Sequence, residues 1–403
     1  MAFDSARSLR VFRLTGPLYV YAAAEDFVLL YPVYVLLFAE HGMSVAQIGS
    51  LFMFWSGAGL VAAVPAGALA DVVPRRYLLA AAPVSAAAGF VLWSVAPGYA
   101  GFAAGFVLWG FGGSLSSGAL EALVHDELVR RGAGGRYARV MGVARALSVV
   151  AVGAATLAAV PVMAWGGYAA VCAASVVACG VCAAAAAVLP ERRSGRYGLG
   201  GGEGAPGVLR GYVAVLREGL VEARGDRRVR GAIVVLVVVT SFWGVLDEYV
   251  PLLVSGHGVV ASAVPVVVAV VWAGVTVGGL SAGAVARLPV RGFAVLVGAA
   301  AVVVAVGAVV GGVAGWVSLG AGFGVFQAAC VVVDARLQDR IRGSGRATVT
   351  SVAGLGSDVV TMAAYPLYAV VFASVGHGWA FAVFVVPYLV VACVLGVGAG
   401  RGG

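Results

Sequence analysis

The feature that most constrains the fold of this chain is a series of about twelve apolar segments, most of them close to 20 residues long. A helix of about 20 residues crosses about 30 Å of hydrocarbon and satisfies its backbone hydrogen bonds within its own segment. Apolar residues make up 62% of the chain and charged residues only 11%, with a mean hydropathy of +1.02. A soluble domain is therefore excluded. The sequence predicts an all-α membrane protein with twelve transmembrane helices.

The distribution of arginine predicts how these spans are oriented. The predicted spans are residues 14–38, 48–70, 77–96, 101–124, 138–161, 167–189, 231–254, 263–286, 291–312, 314–335, 348–374 and 379–399. The chain has no Lys, and nearly every Arg falls at a terminus or in an even-numbered connection, whereas the odd-numbered connections contain none. Basic residues are retained on the cytoplasmic side of a membrane. We therefore expect a multi-pass membrane protein with both termini cytoplasmic. The net charge of +8 reflects this topology and anionic lipid, and is no sign of nucleic-acid binding.

The sequence repeats itself at an interval of roughly 216 residues. The stretch AGALADVVPRR (66–76) returns as AGAVARLPVR (282–291), and the preceding FWSGAG (54–59) returns as VWAGVT (271–276). We therefore predict two pseudo-symmetric six-helix bundles, residues 1–189 and 231–403. Residues 190–230 are predicted to be a cytoplasmic linker, with an amphipathic helix at 208–228. Two such repeats around a midplane site are typical of transporters.

The stretch after the second span also carries a family resemblance. Gly67, Leu69, Asp71, Arg75 and Arg76 match, in register, the pattern G-x-L-x-D-R-x-G-R-R, with departures at 72 and 74. On these residues the chain resembles the major facilitator superfamily over nearly its whole length. PAGALAD (65–71) and SGALEALVHDEL (117–128) are most similar to bacterial drug and metabolite exporters of that superfamily. The resemblance implies a monomer of the bacterial cytoplasmic (inner) membrane that exports its substrate by proton antiport. It also implies that the protein confers drug resistance. It also implies that Gly67, Asp71, Arg75 and Arg76 form a cytoplasmic gate.

Carboxylates within the spans are the candidates for proton and substrate coupling. An ionised carboxylate at the centre of a bilayer costs about 2.5–3.5 kcal/mol, so such groups seldom lack a role. Glu25 and Asp26 lie near the centre of the first span and point about 100° apart, so at most one is expected to face a central cavity squarely. The alternative is a structural pairing with Arg145 or with a polar neighbour. Asp247, Glu248 and Asp358 are further coupling candidates, although the first two could be solvated near the outer face.

We expect spans 1, 4, 7 and 10 to line the substrate cavity. The aromatic candidates there are Tyr21, Tyr31, Trp109 and Trp243, which offer stacking or cation–π surfaces. The polar candidates are Glu121, Arg145 and Gln327. Glu121 could instead be a gate contact to Arg75, Arg139 or Arg145, and Arg145 is either a salt-bridge partner or the ligand of an anionic substrate.

The pattern gives no sign of an enzyme, a metal or a cofactor. His41, His257 and His377 fall in predicted external connections, and none has Cys or carboxylates at metal-binding spacing. The Gly-rich stretch 198–207 lacks the G-K-[ST] of a phosphate-binding loop, which disfavours transport driven by ATP. No catalytic set or appended soluble domain is evident, which disfavours a membrane-embedded enzyme or a non-transporting receptor.

The sequence thus predicts a secondary active transporter that works by alternating access. The favoured activity is proton-coupled efflux of an amphipathic or cationic small molecule, a drug or secondary metabolite. Uptake or facilitated transport of a neutral or anionic metabolite stays open; in that case Arg145 would face the ligand and the acids of the first span would be structural.

Overall fold

The computed structural model describes residues 2–191, 227–341 and 346–398. Nearly all of the predicted linker 190–230, and of its amphipathic helix at 208–228, lies outside the described residues. The α-helices in chain order are α1 (Ala2–Asp26), α2 (Tyr34–Glu40), α3 (Val45–Val72), α4 (Arg75–Val95), α5 (Tyr99–Ser116), α6 (Ala119–Arg130), α7 (Tyr137–Ala187), α8 (Arg227–Gly256), α9 (Val264–Ala286), α10 (Val290–Val310), α11 (Gly312–Arg340), α12 (Arg346–Phe384) and α13 (Val386–Gly398). Two short 3₁₀ helices precede α7 and α9, at Gly134–Arg136 and Ala261–Ala263.

The all-α membrane fold predicted from the sequence is confirmed. The described residues contain no strand, and nine of their helical stretches are long and apolar enough to cross a membrane. Two of these stretches are interrupted by glycines with non-helical backbone angles, α7 at Gly166 and Gly167 and α12 at Gly376. Helix α1 is not among the nine. The described helices are therefore consistent with the twelve predicted spans.

The chain divides into two compact units. Unit 1 comprises Met1–Tyr34 and Leu51–Arg210, and unit 2 comprises Val35–Ser50 and Gly211–Gly403. Within unit 1, α4 packs against both α5 and α7, and α1 packs along α7. Within unit 2, α11 packs against α9 and α10, and α8 packs along α12.

The first predicted span, 14–38, is not one continuous helix. Helix α1 ends at Asp26, and α2 begins only at Tyr34. Pro32 explains part of this break, because proline has no N–H to donate and disfavours helical geometry in the residue before it. The freed backbone is satisfied inside unit 1, where the Leu30 N–H donates to Ser175 Oγ at 3.1 Å. Such internal satisfaction is what a non-helical segment at membrane depth requires.

The fourth predicted span, 101–124, is also divided. Helix α5 ends at Ser116, and α6 begins at Ala119 after a turn at Ser117 and Gly118. Gly118 has a φ of +71°, a left-handed conformation that is strained for residues with a Cβ. This turn lies on the wall of the cavity described below.

Contacts between glycines support the duplication of the two units. A Cβ placed on Gly89 of α4 would stand 2.6 Å from the carbonyl oxygen of Gly105 on α5. In unit 2, a Cβ on Gly307 of α10 would stand 2.8 Å from the carbonyl oxygen of Gly315 on α11. Each helix pair therefore crosses at backbone contact, which only small residues permit.

A second pair of contacts repeats the same relation. A Cβ on Gly112 of α5 would lie 2.6 Å from the carbonyl oxygen of Ala82 on α4, and one on Gly322 of α11 would lie 3.1 Å from that of Ala300 on α10. Ala82 and Ala300 are separated by the same number of residues as Gly89 and Gly307, the matched positions on α4 and α10. Likewise, Gly112 and Gly322 are separated by the same number of residues as Gly105 and Gly315, the matched positions on α5 and α11. Unit 2 therefore reuses the helix crossing of unit 1.

Candidate functional site

A cavity of about 390 Å³ opens within unit 1, between α1, α4, α5, α6 and α7. Six residues proposed from the sequence lie on its wall: Glu25, Asp26, Tyr31, Trp109, Glu121 and Arg145. They come from three separate parts of the chain, so the fold brings together side chains that the sequence keeps far apart. The cavity is therefore our candidate substrate site.

The acidic pair sits at the C-terminal end of α1 and not in the middle of a helix. Both Glu25 and Asp26 line the cavity of unit 1. That at most one of them faces a central cavity squarely stays a prediction. Both residues belong to the last turn of α1, so their side chains point about 100° apart and meet different parts of the cavity wall. A helix C-terminus carries a partial negative charge of its own. Two carboxylates and this dipole together create a negative potential that attracts a proton or another cation.

Neighbouring side chains hold the acidic pair in place. The Tyr21 hydroxyl donates to Glu25 Oε1 at 3.0 Å, and the Tyr21 ring is fully buried beside the cavity. Ser148 of α7 donates to the Ala22 carbonyl at 3.0 Å and lies beside Asp26. These contacts orient the carboxylates without supplying a full positive charge.

Arg145 is the cation on the cavity wall, and its ion pair with Glu121 is weak. Arg145 Nη2 lies 3.9 Å from Glu121 Oε1, and the Arg145 side chain is 78% exposed. At that separation and exposure an ion pair contributes only about 0–1 kcal/mol. The cavity therefore presents three carboxylates, at residues 25, 26 and 121, against one exposed guanidinium.

Part of the cavity wall is aromatic. Tyr31 and Trp109 stack with their ring centroids 5.5 Å apart and their planes 14° apart. Phe90, which also lines the cavity, meets the Trp109 ring edge-on at 5.2 Å. Phe106 stacks on Trp109 at 5.9 Å, and Trp55 lies 5.7 Å away. Packing on several sides fixes the Trp109 ring, so the cavity offers a rigid aromatic surface.

Sequence reasoning missed several residues of this site. Ser116, Ser117 and Ser148 supply hydroxyls to the wall, and Cys179 and Cys182 of α7 supply small side chains. Small residues are abundant throughout the chain, so their identity alone could not mark these positions. The pairing of SLSS (114–117) with the glycine at 118 is the one available signal, since it indicates a break in a span.

The remaining coupling and cavity candidates lie in unit 2. Asp247 and Glu248 are half-buried on α8, and Asp358 is exposed on α12. Beside Asp358, Ser357 Oγ lies 3.0 Å from Thr240 Oγ1 of α8. Gln327 is half-buried on α11.

Trp243 of α8 is the aromatic candidate in unit 2. Its ring meets Phe323 edge-on at 6.4 Å. Its buried Nε1 has no hydrogen-bond partner among the described residues. A buried indole N–H usually finds a partner, so this atom is available to a polar group of a ligand.

The predicted gate residues lie at the junction of α3 and α4. Arg75 Nη1 donates to Asp126 Oδ2 at 2.6 Å, and this hydrogen bond lowers the pKa of the Asp126 carboxyl, which lies beyond the predicted end of the fourth span. Arg76 Nη2 donates to the Tyr77 hydroxyl at 3.0 Å.

The other two predicted gate residues lie on α3. A Cβ on Gly67 would meet no atom of the described residues within 4 Å. The Asp71 side chain is outside the described part of the structure.

Glu191 is a residue of this junction that the sequence did not single out. Its carboxylate accepts hydrogen bonds from the backbone N–H groups of Arg75 and Arg76, at 2.9 and 3.1 Å. These amides begin α4, and Pro74 before them offers no side-chain cap. A carboxylate at a helix N-terminus satisfies free N–H groups and complements the helix dipole. Glu191 therefore connects the chain after the sixth predicted span to the first turn of α4, at the start of the third predicted span.

We expect Glu191→Ala to lower the free energy of unfolding of unit 1 by about 1 kcal/mol, because two helix amides lose their acceptor. Glu191→Gln should lose less, since one amide oxygen still accepts. Thermal unfolding of the purified protein in detergent measures both. Unchanged midpoints for both variants would show that the cap is dispensable.

Three comparisons with known proteins bear on the family and the fold of this chain. The sequence profile of a family described as the Major Facilitator Superfamily matches residues 19–364. No match is found among curated proteins. Among solved structures, a mutant of the nucleoside transporter NupG is similar with a TM-score of 0.76 and 11% identity, covering 95% of this chain and 98% of that one.

Two further structures show the same fold. A D-xylose–proton symporter is similar with a TM-score of 0.62 and 14% identity, covering 98% of this chain and 97% of the other. A peptide transporter, POT, is similar with a TM-score of 0.60 and 13% identity, covering 98% and 94%. At these identities the likeness establishes the fold alone.

Proposed function

This chain belongs to the Major Facilitator Superfamily, and from that premise we propose that it is a secondary active transporter that exports a cationic, amphipathic small molecule in exchange for protons. Family membership and transporter-like structures favour transport over an enzymatic or receptor role. We place the protein in the bacterial cytoplasmic membrane as a monomer with cytoplasmic termini, on the Arg distribution and the family resemblance.

The charge of the unit 1 cavity is the observation that carries the proposal. Glu25 and Asp26 face the cavity at a helix C-terminus, and Glu121 adds a third carboxylate. A cation is the ligand that this potential favours, and a proton is the cation that can replace it. Competition between the two for the same carboxylates couples substrate release to protonation.

The aromatic wall supports an amphipathic substrate. A cation held by the acids would place an attached apolar or aromatic group against the Tyr31–Trp109 stack, which lines the same cavity. Such contacts are worth about 0.5–2 kcal/mol each.

We expect Trp109→Leu to weaken substrate affinity about tenfold, whereas Trp109→Phe should weaken it less because it keeps an aromatic face. Direct binding to the purified protein, measured by calorimetry, checks this order. Trp165→Leu is a matched control, since Trp165 is 87% exposed. Equal losses at Trp109 for Leu and Phe would argue against an aromatic contact with the ligand.

Uptake or facilitated transport of a neutral or anionic metabolite is the second candidate. Exposed Arg145 on the cavity wall favours it, because a guanidinium binds carboxylate or phosphate groups. The similar structures, described as nucleoside, D-xylose–proton and peptide transporters, lend no support to export.

Transport into everted membrane vesicles tests the proposal. A panel of cationic dyes, neutral sugars and nucleosides, and anionic metabolites is offered with and without a pH gradient. We expect accumulation of cationic amphipathic compounds only when the vesicle interior is acidic. Accumulation of neutral or anionic compounds alone, or transport indifferent to the gradient, would replace the proposal with the second candidate.

A further inference from the structure

Arg145, on the wall of the unit 1 cavity, is held differently from the arginine at the predicted gate. Arg75 donates a charge-assisted hydrogen bond to Asp126 at 2.6 Å. Arg145 forms an ion pair with Glu121 at 3.9 Å, which is too far for a hydrogen bond. Its guanidinium makes no hydrogen bond to a side chain or carbonyl of the described residues. Its N–H donors are therefore open to a ligand that enters the cavity.

The carboxylate that pairs with Arg145 has other sources of stabilisation. Glu121 lies in the first turn of α6, where the helix N-terminus carries a partial positive charge. The Glu121 side chain is also 43% exposed, so water solvates its charge. Stabilising Glu121 therefore does not explain Arg145. An arginine about two turns into the predicted span 138–161 is costly and seldom lacks a role.

The acidic pair faces the same cavity without touching this guanidinium. Glu25 accepts a hydrogen bond from the Tyr21 hydroxyl, and Asp26 lies beside Ser148, so both have neutral partners. Neither carboxylate forms an ion pair with Arg145 in the described part of the structure. Both nevertheless interact with it electrostatically, and all three groups line the cavity. Opposite charges that share a cavity without contact leave space for a ligand that carries both signs.

The aromatic part of the wall completes this set of contacts. Tyr31 and Trp109 stack at 5.5 Å and line the cavity together with the charged groups. The carboxylates attract an ammonium, and the planar fork of a guanidinium matches a carboxylate or phosphate through two hydrogen bonds. The aromatic stack offers a surface to a flat ring. A ligand that satisfies all three has an ammonium, an anionic oxygen group and an aromatic body.

We propose that the unit 1 cavity binds an aromatic zwitterion, with its ammonium at Glu25 and Asp26 and its anionic oxygen group at Arg145. The inference rests on the proposed function and narrows it, because the exported amphipathic cation then carries a carboxylate or phosphate as well. Arg145 determines this specificity, since it separates such a ligand from one that carries an ammonium alone. Protons still compete with the ammonium at the two acids, so the proposed coupling is unchanged.

Four probes with the same indole ring test the inference. Tryptamine carries an ammonium alone, and indole-3-propionate carries a carboxylate alone. Tryptophan carries both groups, and tryptophan methyl ester keeps the ammonium but has its carboxylate capped. Calorimetry on the purified full-length protein measures the four affinities. We expect tryptophan to bind about tenfold more tightly than its methyl ester, which is the gain from one charge-assisted contact, and both to bind more tightly than indole-3-propionate.

Three variants show whether Arg145 causes this preference. Arg145→Gln should bring the affinities of tryptophan and its methyl ester to within about twofold of each other. Arg136→Gln is the matched control and should keep the tenfold ratio, since Arg136 is exposed just before α7 and does not line the cavity. Glu121→Gln should also keep the ratio, because the guanidinium does not need its ion pair to bind the ligand. A general weakening of the site cancels in a ratio of two affinities.

The other outcomes separate failure of the inference from failure of the proposed function. Equal affinity for tryptophan and its methyl ester in the unmodified protein would overturn the inference and leave the proposed function standing. A ratio that survives Arg145→Gln, or that is lost in Arg136→Gln or Glu121→Gln, would overturn it as well. So would binding of none of the four probes, since they include the ligand class that the inference names. Binding of indole-3-propionate alone would contradict the proposed function itself, because the acids would then attract no cation.

Discussion

Combined Glu25→Gln and Asp26→Asn substitution is expected to abolish transport driven by a pH gradient, with a loss of about 100-fold or more. The amides keep the shape of the carboxylates, and the side-chain amide introduced in place of the Glu25 carboxylate still offers an oxygen to the Tyr21 hydroxyl. The fold should therefore persist while the negative potential of the cavity disappears. Initial rates in proteoliposomes, with the amount of folded protein matched by size-exclusion chromatography, measure the effect.

Asp334→Asn is the control for this change, because Asp334 is an exposed carboxylate on α11, one residue before the end of the predicted span 314–335. We expect its rate to stay within about twofold of the unmodified protein, as exposed charges contribute little. Retention of gradient-driven transport by the double variant would move the coupling elsewhere, with the acids of unit 2 as the next candidates.

Gly278→Ala should prevent stable folding of unit 2. A Cβ on Gly278 of α9 would lie deep inside van der Waals contact with the carbonyl oxygen of Gly324 on α11. The two backbones would have to separate along their whole crossing, because neither atom can move independently of its helix. We expect a loss of about 3 kcal/mol or more, at the upper end of overpacking effects. The yield of monodisperse protein after detergent extraction, together with its thermal midpoint, measures the loss.

Gly283→Ala on the same helix gives a matched control. A Cβ at Gly283 would meet no atom of the described residues within 4 Å. Alanine is also the better helix former, by about 1 kcal/mol. We therefore expect Gly283→Ala to be neutral or slightly stabilising. Similar behaviour of the two variants would mean that the α9–α11 crossing is looser than its glycines indicate.

The fold could be predicted from the sequence because hydrocarbon imposes a simple rule on segment length and polarity. The repeat of 66–76 at 282–291 further predicted two related bundles, and the matched crossings at Gly89 and Gly307 agree with it. Helix interruptions were harder to predict. Pro32 in the sequence favours a break in the first helix. The break from 27 to 33 also depends on Ser175, which accepts a hydrogen bond from the Leu30 amide and lies 145 positions away in the chain.

The candidate site was predictable where a residue was chemically unusual for its surroundings. Glu25, Asp26 and Arg145 stood out because charged groups are rare within spans. Glu191 did not stand out, because a carboxylate next to the end of a predicted span is ordinary. The role of Glu191 depends on contacts with distant residues, the backbone amides at 75 and 76. Periodicity and composition carry no information on such contacts.

Proton release on substrate binding is the measurement that tests the central claim most directly. The purified protein in weakly buffered detergent solution is mixed with a cationic substrate from the vesicle panel, and the pH change is recorded. Competition at Glu25 and Asp26 predicts the release of about one proton per bound substrate, and no release from the Glu25→Gln, Asp26→Asn variant. Binding without proton release, or release that persists in the variant, would contradict the account.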